Sequence, residues 1–282
     1  MATEASNWYS TEYFADVIRR YQSTGFRLRG TVKKPRKIVA NKAIYRKGGM
    51  AQAVPLKRGG QGSPQNPDRQ NIEVDLTAYQ VQIWEYEEDI HKMNASERDE
   101  ISFEGSSALG RKTDDLIIDV MDAATGLAEV GSYADPFDLS TALEGCRILQ
   151  REMKMWDSNV YCPLPSNAWN QMLTHEQFTS ADYMGADLPF TKTTDRRSWN
   201  GVHWFLFPDD QLPLANNTER DFFMYHHDAV GCAEAQNVRG KITWENKETA
   251  WLHNMWMDLG ETVLQEQGII RFKCKDDAPI TL

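Results

Sequence analysis

The chain has 282 residues, of which 41% are hydrophobic and nine are Trp; this length and composition exclude a disordered protein and allow one large domain or two modest ones. No run of about eighteen apolar residues occurs, so no transmembrane helix is expected, and the polar opening Met1-Ala2-Thr3-Glu4 leads us to expect no signal peptide. Residues 1–70 hold fourteen Lys or Arg against four Asp or Glu, and residues 71–282 hold seventeen against thirty-seven; the overall acidity argues against a protein whose whole task is gripping DNA, while one part of the molecule is built to attract the other, within a copy or between copies.

The elements follow in chain order. Ser10 or Thr11 caps a predicted helix in which Tyr13, Phe14, Val17, Ile18 and Tyr21 share one broad face, and Gly25 ends it. Residues 30–71 carry six Gly, four Pro and interspersed cations, with few apolar residues. Such a stretch cannot bury enough surface to form its own core, so it is either a disordered linker or an extended loop that needs a neighbour. In residues 72–77 and 79–86 apolar and polar side chains alternate, the period of half-buried strands. These strands suit the return arm of a long hairpin whose arms would reach roughly 65 Å at most.

Ser96, Glu97 and Asp99 open a helix predicted over about 97–124, roughly 40 Å long. Its face is Ile101, Ala108, Leu109, Leu116, Ile117, Val120, Met121 and Ala124. Gly105 and Gly110 inside it point to a kink or a close contact. A second helix fits 138–157, with Leu139, Ala142, Leu143, Cys146, Leu149, Met153 and Trp156 as its stripe. Then come a strand at 160–163, a helix from Ser166 through Leu173, a loop-rich stretch over 174–200, and strands at 202–207 and 222–225. Residues 250–258 fit helix and strand periods equally well. Residues 268–274 read as a terminal strand.

Signals for catalysis are weak. Gly59-Gly60-Gln61-Gly62-Ser63 lacks the Lys-Ser/Thr ending of a phosphate loop and reads as a flexible tip. His226-His227-Asp228 has no third ligand at a recognisable spacing. Asp114-Asp115 and Asp119 with Asp122 read as a solvated helix face. Cys146, Cys162, Cys232 and Cys274 show no metal-ligand or nucleophile pattern and read as buried reduced thiols of an intracellular protein. No cofactor and no metal are expected. The basic stretch reads as a loop lying on a neighbouring subunit, ahead of a solvated tail or a nucleic-acid contact, because a coherent strand follows it and the rest of the chain is acidic.

Certain segments, taken with the order of these elements, carry a family likeness. They are Leu76-Thr77-Ala78-Tyr79-Gln80-Val81-Gln82-Ile83-Trp84 with Asp89-Ile90-His91-Lys92-Met93, and Ala108-Leu109-Gly110-Arg111-Lys112-Thr113-Asp114 through Asp119. Asn159-Val160-Tyr161-Cys162-Pro163 with Trp169 and Leu173 adds to them. So do Phe178 to Gly185, Gly201-Val202-His203-Trp204-Phe205, His226-His227-Asp228-Ala229-Val230-Gly231, and Ala250-Trp251-Leu252-His253-Asn254 onward to Gly268-Ile269-Ile270. Together they resemble the major capsid protein of tailed bacteriophages, the Hong Kong 97-type fold.

The resemblance implies an α+β fold and favours strand near 250–258. It implies an N-terminal arm (1–29), an extended basic hairpin loop (30–85), a peripheral domain (86–137 and 235–282) with a spine helix at about 97–124, and an axial domain (138–234). The function implied is structural and not enzymatic: self-assembly into an icosahedral shell enclosing double-stranded DNA. An encapsulin-type nanocompartment shell is the alternative, followed by a nucleic-acid-binding module with a basic arm. Lys33, Lys34, Arg36, Lys37, Lys42, Arg46, Lys47, Lys57 and Arg58 are the candidate contacts between subunits. Expected partners are other copies in hexamers and pentamers, a separate scaffolding protein, a portal protein at one vertex, packaged DNA through non-specific contact and, as an optional addition, a decoration protein; no membrane is involved. The implied location is the virion capsid, assembled in the host cytoplasm. Lys42 and Lys57 lie in the kind of loop that some members crosslink, but no partner is identified and no crosslink is predicted.

Overall fold

A computed structural model describes residues 24–39, 41–55, 58–59, 64–86, 95–152, 157, 159–179, 196–235 and 237–280. The helix expected between Ser10 and Gly25 lies outside these residues except at its end. Along the chain come β1 (Lys37–Val39), β2 (Lys42–Gly48), β3 (Arg69–Asp75), β4 (Thr77–Tyr86), α1 (Ala95–Ala123), β5 (Ala128–Gly131), α2 (Leu139–Glu152), β6 (Val160–Leu164), α3 (Ser166–Thr174) and α4 (Glu176–Thr179). They are followed by β7 (Arg196–Trp199), β8 (Val202–Leu206), β9 (Leu214–Asn216), β10 (Glu219–His226), β11 (Val230–Glu234), β12 (Arg239–Glu245), β13 (Ala250–Val263) and β14 (Ile269–Lys275). The predicted elements at 72–77, 79–86, 97–124, 160–163, 166–173, 202–207, 222–225 and 268–274 all form.

Residues 250–258, ambiguous by period, lie in β13, a fourteen-residue strand. Its odd positions His253, Met255, Met257 and Leu259 are buried under α1, while even positions 252 to 258 are half-exposed. Pairing with β4 on one side and with β12 and β11 on the other holds it extended. Sheet neighbours therefore decide what the local pattern leaves open.

Residues 174–200, read as loop, also contain α4 and β7; short elements carry too few periods to be seen. In α2 the buried stripe is Ala142, Cys146 and Leu149, whereas Leu143 is 44% exposed. Leu143 sits one residue round the helix from Ala142 and leaves the buried face.

The strands form three sheets. β1, β2 and β3 make a small antiparallel sheet, the base of the hairpin. β4, β13, β12 and β11 make a second antiparallel sheet. A mixed sheet in the order β5-β14-β10-β6-β8-β7, with β9 on β10, makes the third. Its strands β5 and β14 had been expected in the peripheral domain, yet β14 pairs with β10 from Glu219↔Lys275 to Tyr225↔Ile269. The division expected at 137/138 and 234/235 therefore cuts across this sheet.

The main core lies on the mixed sheet. Phe137, Phe222 and Phe272 meet there at centroid distances of 5.0 to 5.3 Å. α1 links this core to the second sheet. Its Leu109 packs with Met255, Met257 and Leu259, and about two and three turns later Ile117, Ile118 and Met121 enter the main core.

Both glycines inside α1 mark close approaches. A Cβ on Gly105 would fall 2.0 Å from the Met255 methyl, and one on Gly110 would fall 2.7 Å from the Phe26 ring. At that crossing Gly25 has φ +70 and its own Cβ would meet the Gly110 backbone at 2.1 Å, so only glycine serves at both positions.

Candidate assembly surface

The hairpin stands on a seat built by the same chain. In β2 the alternation sends Ala43 and Tyr45 inward, where they form a small cluster with Leu76, Ala233 and Leu264. The Tyr45 ring lies on Gly231, where an added Cβ would approach it to 2.7 Å. Lys33 runs beside β11, donating its N–H to Val230 O at 2.9 Å and accepting from Cys232 N at 3.0 Å. The Tyr45 hydroxyl is buried without a hydrogen-bond partner among the described residues. Tyr45→Phe removes that orphan and is expected to stabilise the folded monomer by about 1 kcal/mol, read as a higher melting temperature.

Beneath the seat lies a group of charges. Asp114 is fully buried and accepts hydrogen bonds from Arg27 N at 3.0 Å and Leu28 N at 2.9 Å. Arg29 pairs with Glu234 and also donates to Asn237 at 2.6 Å. The Glu261 carboxyl is pushed up to about 7, chiefly by burial, although the Lys112 cation opposes the shift. Burial likewise raises Asp114 to about 6 despite its two backbone donors.

A carboxyl whose pKa is higher folded than unfolded binds more protons when folded. Its stabilising contribution is present below the unfolded value, near 4.5 for Glu261, and is lost as pH rises through about 7. Glu261→Gln is expected to flatten the fall in monomer stability over that window, measured by chemical denaturation at a series of pH values.

The expectation that Asp114 and Asp115 share a solvated face is corrected for Asp114. It stands one turn from Gly110 on one side and from Ile117 and Ile118 on the other, inside the apolar stripe, and that position was the available signal. A second buried carboxylate was also missed. Glu85 is 1% exposed and lies 2.7 Å from His253 Nε2. It continues the inward series Tyr79, Val81, Ile83 along β4.

Eight of the nine candidate cations are among the described residues, and they separate into two groups. Lys33 Nζ lies 3.1 Å from Asp228, and Lys42 Nζ lies 3.1 Å from Glu73, so both meet carboxylates of their own chain. Lys34, Arg36, Lys37, Arg46, Lys47 and Arg58 are exposed and have no carboxylate partner among the described residues. Lys57 lies outside the described residues. Lys47 overhangs a cleft of about 330 Å³ against residues 263–267. At the hairpin tip Met50 and Val54 are 72% and 57% exposed.

The other sequence candidates have structural partners. His226 Nε2 lies 2.6 Å from Asp157, and its Nδ1 accepts from Asp228 N at 3.1 Å. Four buried thiols form no disulfide. Among the described residues no three His, Cys, Asp or Glu groups are arranged to hold a metal. The site is a surface: a docked base, a projecting blade whose exposed cations meet no carboxylate among the described residues, and an apolar tip.

Comparison with known proteins matches residues 5–276 to the phage capsid protein family. The fold is similar to the capsid of cyanophage P-SCSP1u, with a TM-score of 0.69 at 12% identity, covering 94% of this chain and 92% of that one. It is also similar to the head of Helicobacter pylori bacteriophage KHP40, with a TM-score of 0.67 at 9% identity over 88% and 87% of the two chains. Gordonia phage Cozz aligns at a TM-score of 0.63 and 14% identity over 97% and 96%. No curated protein sequence matches.

Proposed function

The chain belongs to the phage capsid protein family, and from that premise we propose how this major capsid protein builds its shell. Copies associate as hexamers and pentamers, and the hairpin of each is the clasp between neighbours. The observation that carries this reading is the row of exposed cations before and along β1, on β2 and at the tip that find no carboxylate among the described residues. Lys33 and Lys42 have intrachain partners, Lys33 tying the clasp to Asp228 beside its seat and Lys42 joining β2 to β3 within the blade. Exposed ion pairs contribute only about 0–1 kcal/mol each, but a shell repeats them over many interfaces, and weak contacts allow errors to anneal. High salt weakens such contacts.

Residues 1–29 act as an arm and 30–85 as the clasp. The axial unit comprises the whole mixed sheet, with β5 and β14 added to residues 138–234. The peripheral unit comprises α1 with β11, β12 and β13, and β4, the last strand of the clasp, pairs with β13 and joins the two. The chain performs no catalysis; it encloses double-stranded DNA through non-specific contact. Assembly in the host cytoplasm uses a separate scaffolding protein and a portal at one vertex, with a decoration protein as an optional later partner.

Expression with and without a scaffolding protein, followed by negative-stain imaging, tests the proposal. Uniform polyhedral particles that dissociate more readily at high salt are expected. A strictly monomeric species with enzymatic activity would overturn it.

A further inference from the structure

A cleft of about 480 Å³ opens in the helical layer over the mixed sheet, and no hairpin residue lines it. The start of α2 forms one wall, and the end of α3 with His175 forms the other. Asp138, just before α2, bridges them. Its Oδ1 lies 2.7 Å from His175 Nε2 and accepts from Leu139 N at 2.7 Å, and its Oδ2 accepts from the Ser140 hydroxyl at 3.1 Å. The positive end of α2 is thereby answered within the chain.

Two groups in the cleft are left over. Gln171 is 7% exposed, yet its side-chain amide has no hydrogen-bond partner among the described residues. Thr174, one turn on, donates its hydroxyl to the Gln171 backbone oxygen at 2.7 Å and not to that amide. A buried amide without a partner is costly, and Leu would fill similar space without the loss. Asp135 is exposed at the rim, and its carboxylate meets no partner among the described residues. Its backbone is nevertheless held, donating to Ser132 O at 3.2 Å and accepting from Lys275 N at 3.0 Å.

The chemistry of the walls selects the ligand. Two carboxylates line the cleft and no Lys or Arg does, so an anion would be repelled. α3 also turns its negative end toward the cleft. A metal ion does not fit, because the acids and His175 are not arranged as a ligand set. A guanidinium does fit. It is planar, permanently charged and rich in donors, enough for the Asp135 carboxylate and the Gln171 amide oxygen together, and its methylene stem can lie on Pro136.

We propose that this cleft binds the guanidinium of an arginine carried by another protein chain. A second copy and a separate protein both carry that chemistry. In the axial unit Arg151 and Arg196 are exposed and meet no carboxylate among the described residues. The site belongs to the dispersed subunit and does not rest on the shell reading.

Dispersed subunits are titrated with N-acetyl-arginine amide and with its neutral isostere, N-acetyl-citrulline amide. NMR follows the Gln171 side-chain amide and the His175 backbone amide. Saturable movement with the arginine probe is expected, with binding at least about tenfold weaker for the citrulline probe. Asp135→Asn, at an exposed position, should weaken the arginine probe by a similar factor. Gln171→Leu should do the same, read at His175, with circular dichroism checking its fold. No saturable movement, equal binding of the two probes, or undiminished binding in Asp135→Asn would overturn the proposal. A further arm separates the sources. Movement on concentrating the subunit alone, cancelled by Arg151→Gln with Arg196→Gln, assigns the arginine to a second copy, and signals that stay in place assign it to a separate protein.

Discussion

Charge reversal at Arg36, Lys37, Arg46 and Lys47 together is expected to abolish shell formation and leave the monomer folded. None of the four has a carboxylate partner among the described residues, and all are exposed, so their reversal removes no intrachain contact seen there. Surface substitutions of that kind change monomer stability by about 0.5 kcal/mol or less each. Between copies the effect is different in kind. Each reversal turns an attraction of about 0–1 kcal/mol into a repulsion of similar size, and about 1.4 kcal/mol is a tenfold change in an association constant. At the middle of that range four reversals per clasp shift assembly by about 4 kcal/mol, raising the concentration needed several hundredfold. Light scattering during assembly reads the loss, and circular dichroism of the variant reads the fold. An unfolded variant would show that the blade belongs to an internal core. Normal particles would show that other contacts hold the shell.

Asp114→Ala is expected to have the largest effect on the monomer. The carboxylate holds two backbone donors at the crossing of the arm, α1 and the hairpin seat. Truncation orphans both N–H groups in a buried place, a loss of about 2–4 kcal/mol. The arm from Thr24 to Lys33 should then lift from α1, because Gly25, Phe26 and Gly110 touch only while it is seated. Hydrogen exchange of the Arg27 and Leu28 amides should accelerate by at least about a hundredfold, with smaller change in β10 and β14. Asp114→Asn keeps one oxygen acceptor and is expected to fall between wild type and Asp114→Ala. Equal protection in all three proteins would sink this account of the carboxylate.

Much of the fold was legible because its signals are local. Alternation over 72–86 marks β3 and β4, and the stripe from Leu109 to Met121 marks α1. Gly105 and Gly110 announced close approaches, and the structure identifies Met255 and Phe26 as what approaches. Leu143 was misassigned because a stripe read on a helical wheel has soft edges. The buried acids Asp114 and Glu85 stand at apolar-face positions, and only their chemistry suggests solvent.

The candidate surface was legible as a segment but not as a set of residues. Basic residues crowd residues 33–58 whatever they touch, so sequence alone ranks Lys33 and Arg36 alike. The structure separates them, since Lys33 reaches Asp228, nearly two hundred residues away along the chain, while Arg36 meets no described carboxylate.

By itself the sequence determined the order of elements, the charge division at about residue 70 and the shortage of apolar residues that keeps the Gly- and Pro-rich hairpin from forming its own core. These depend on composition and on periods of two and 3.6 residues, which a short window contains. Only the tertiary structure decided which charges are spent inside the chain. Leu28 meets Asp114 across a separation of 86 residues, and His253 meets Glu85 across 168. Pairings of that range follow from how sheets and helix pack, and no local pattern encodes them.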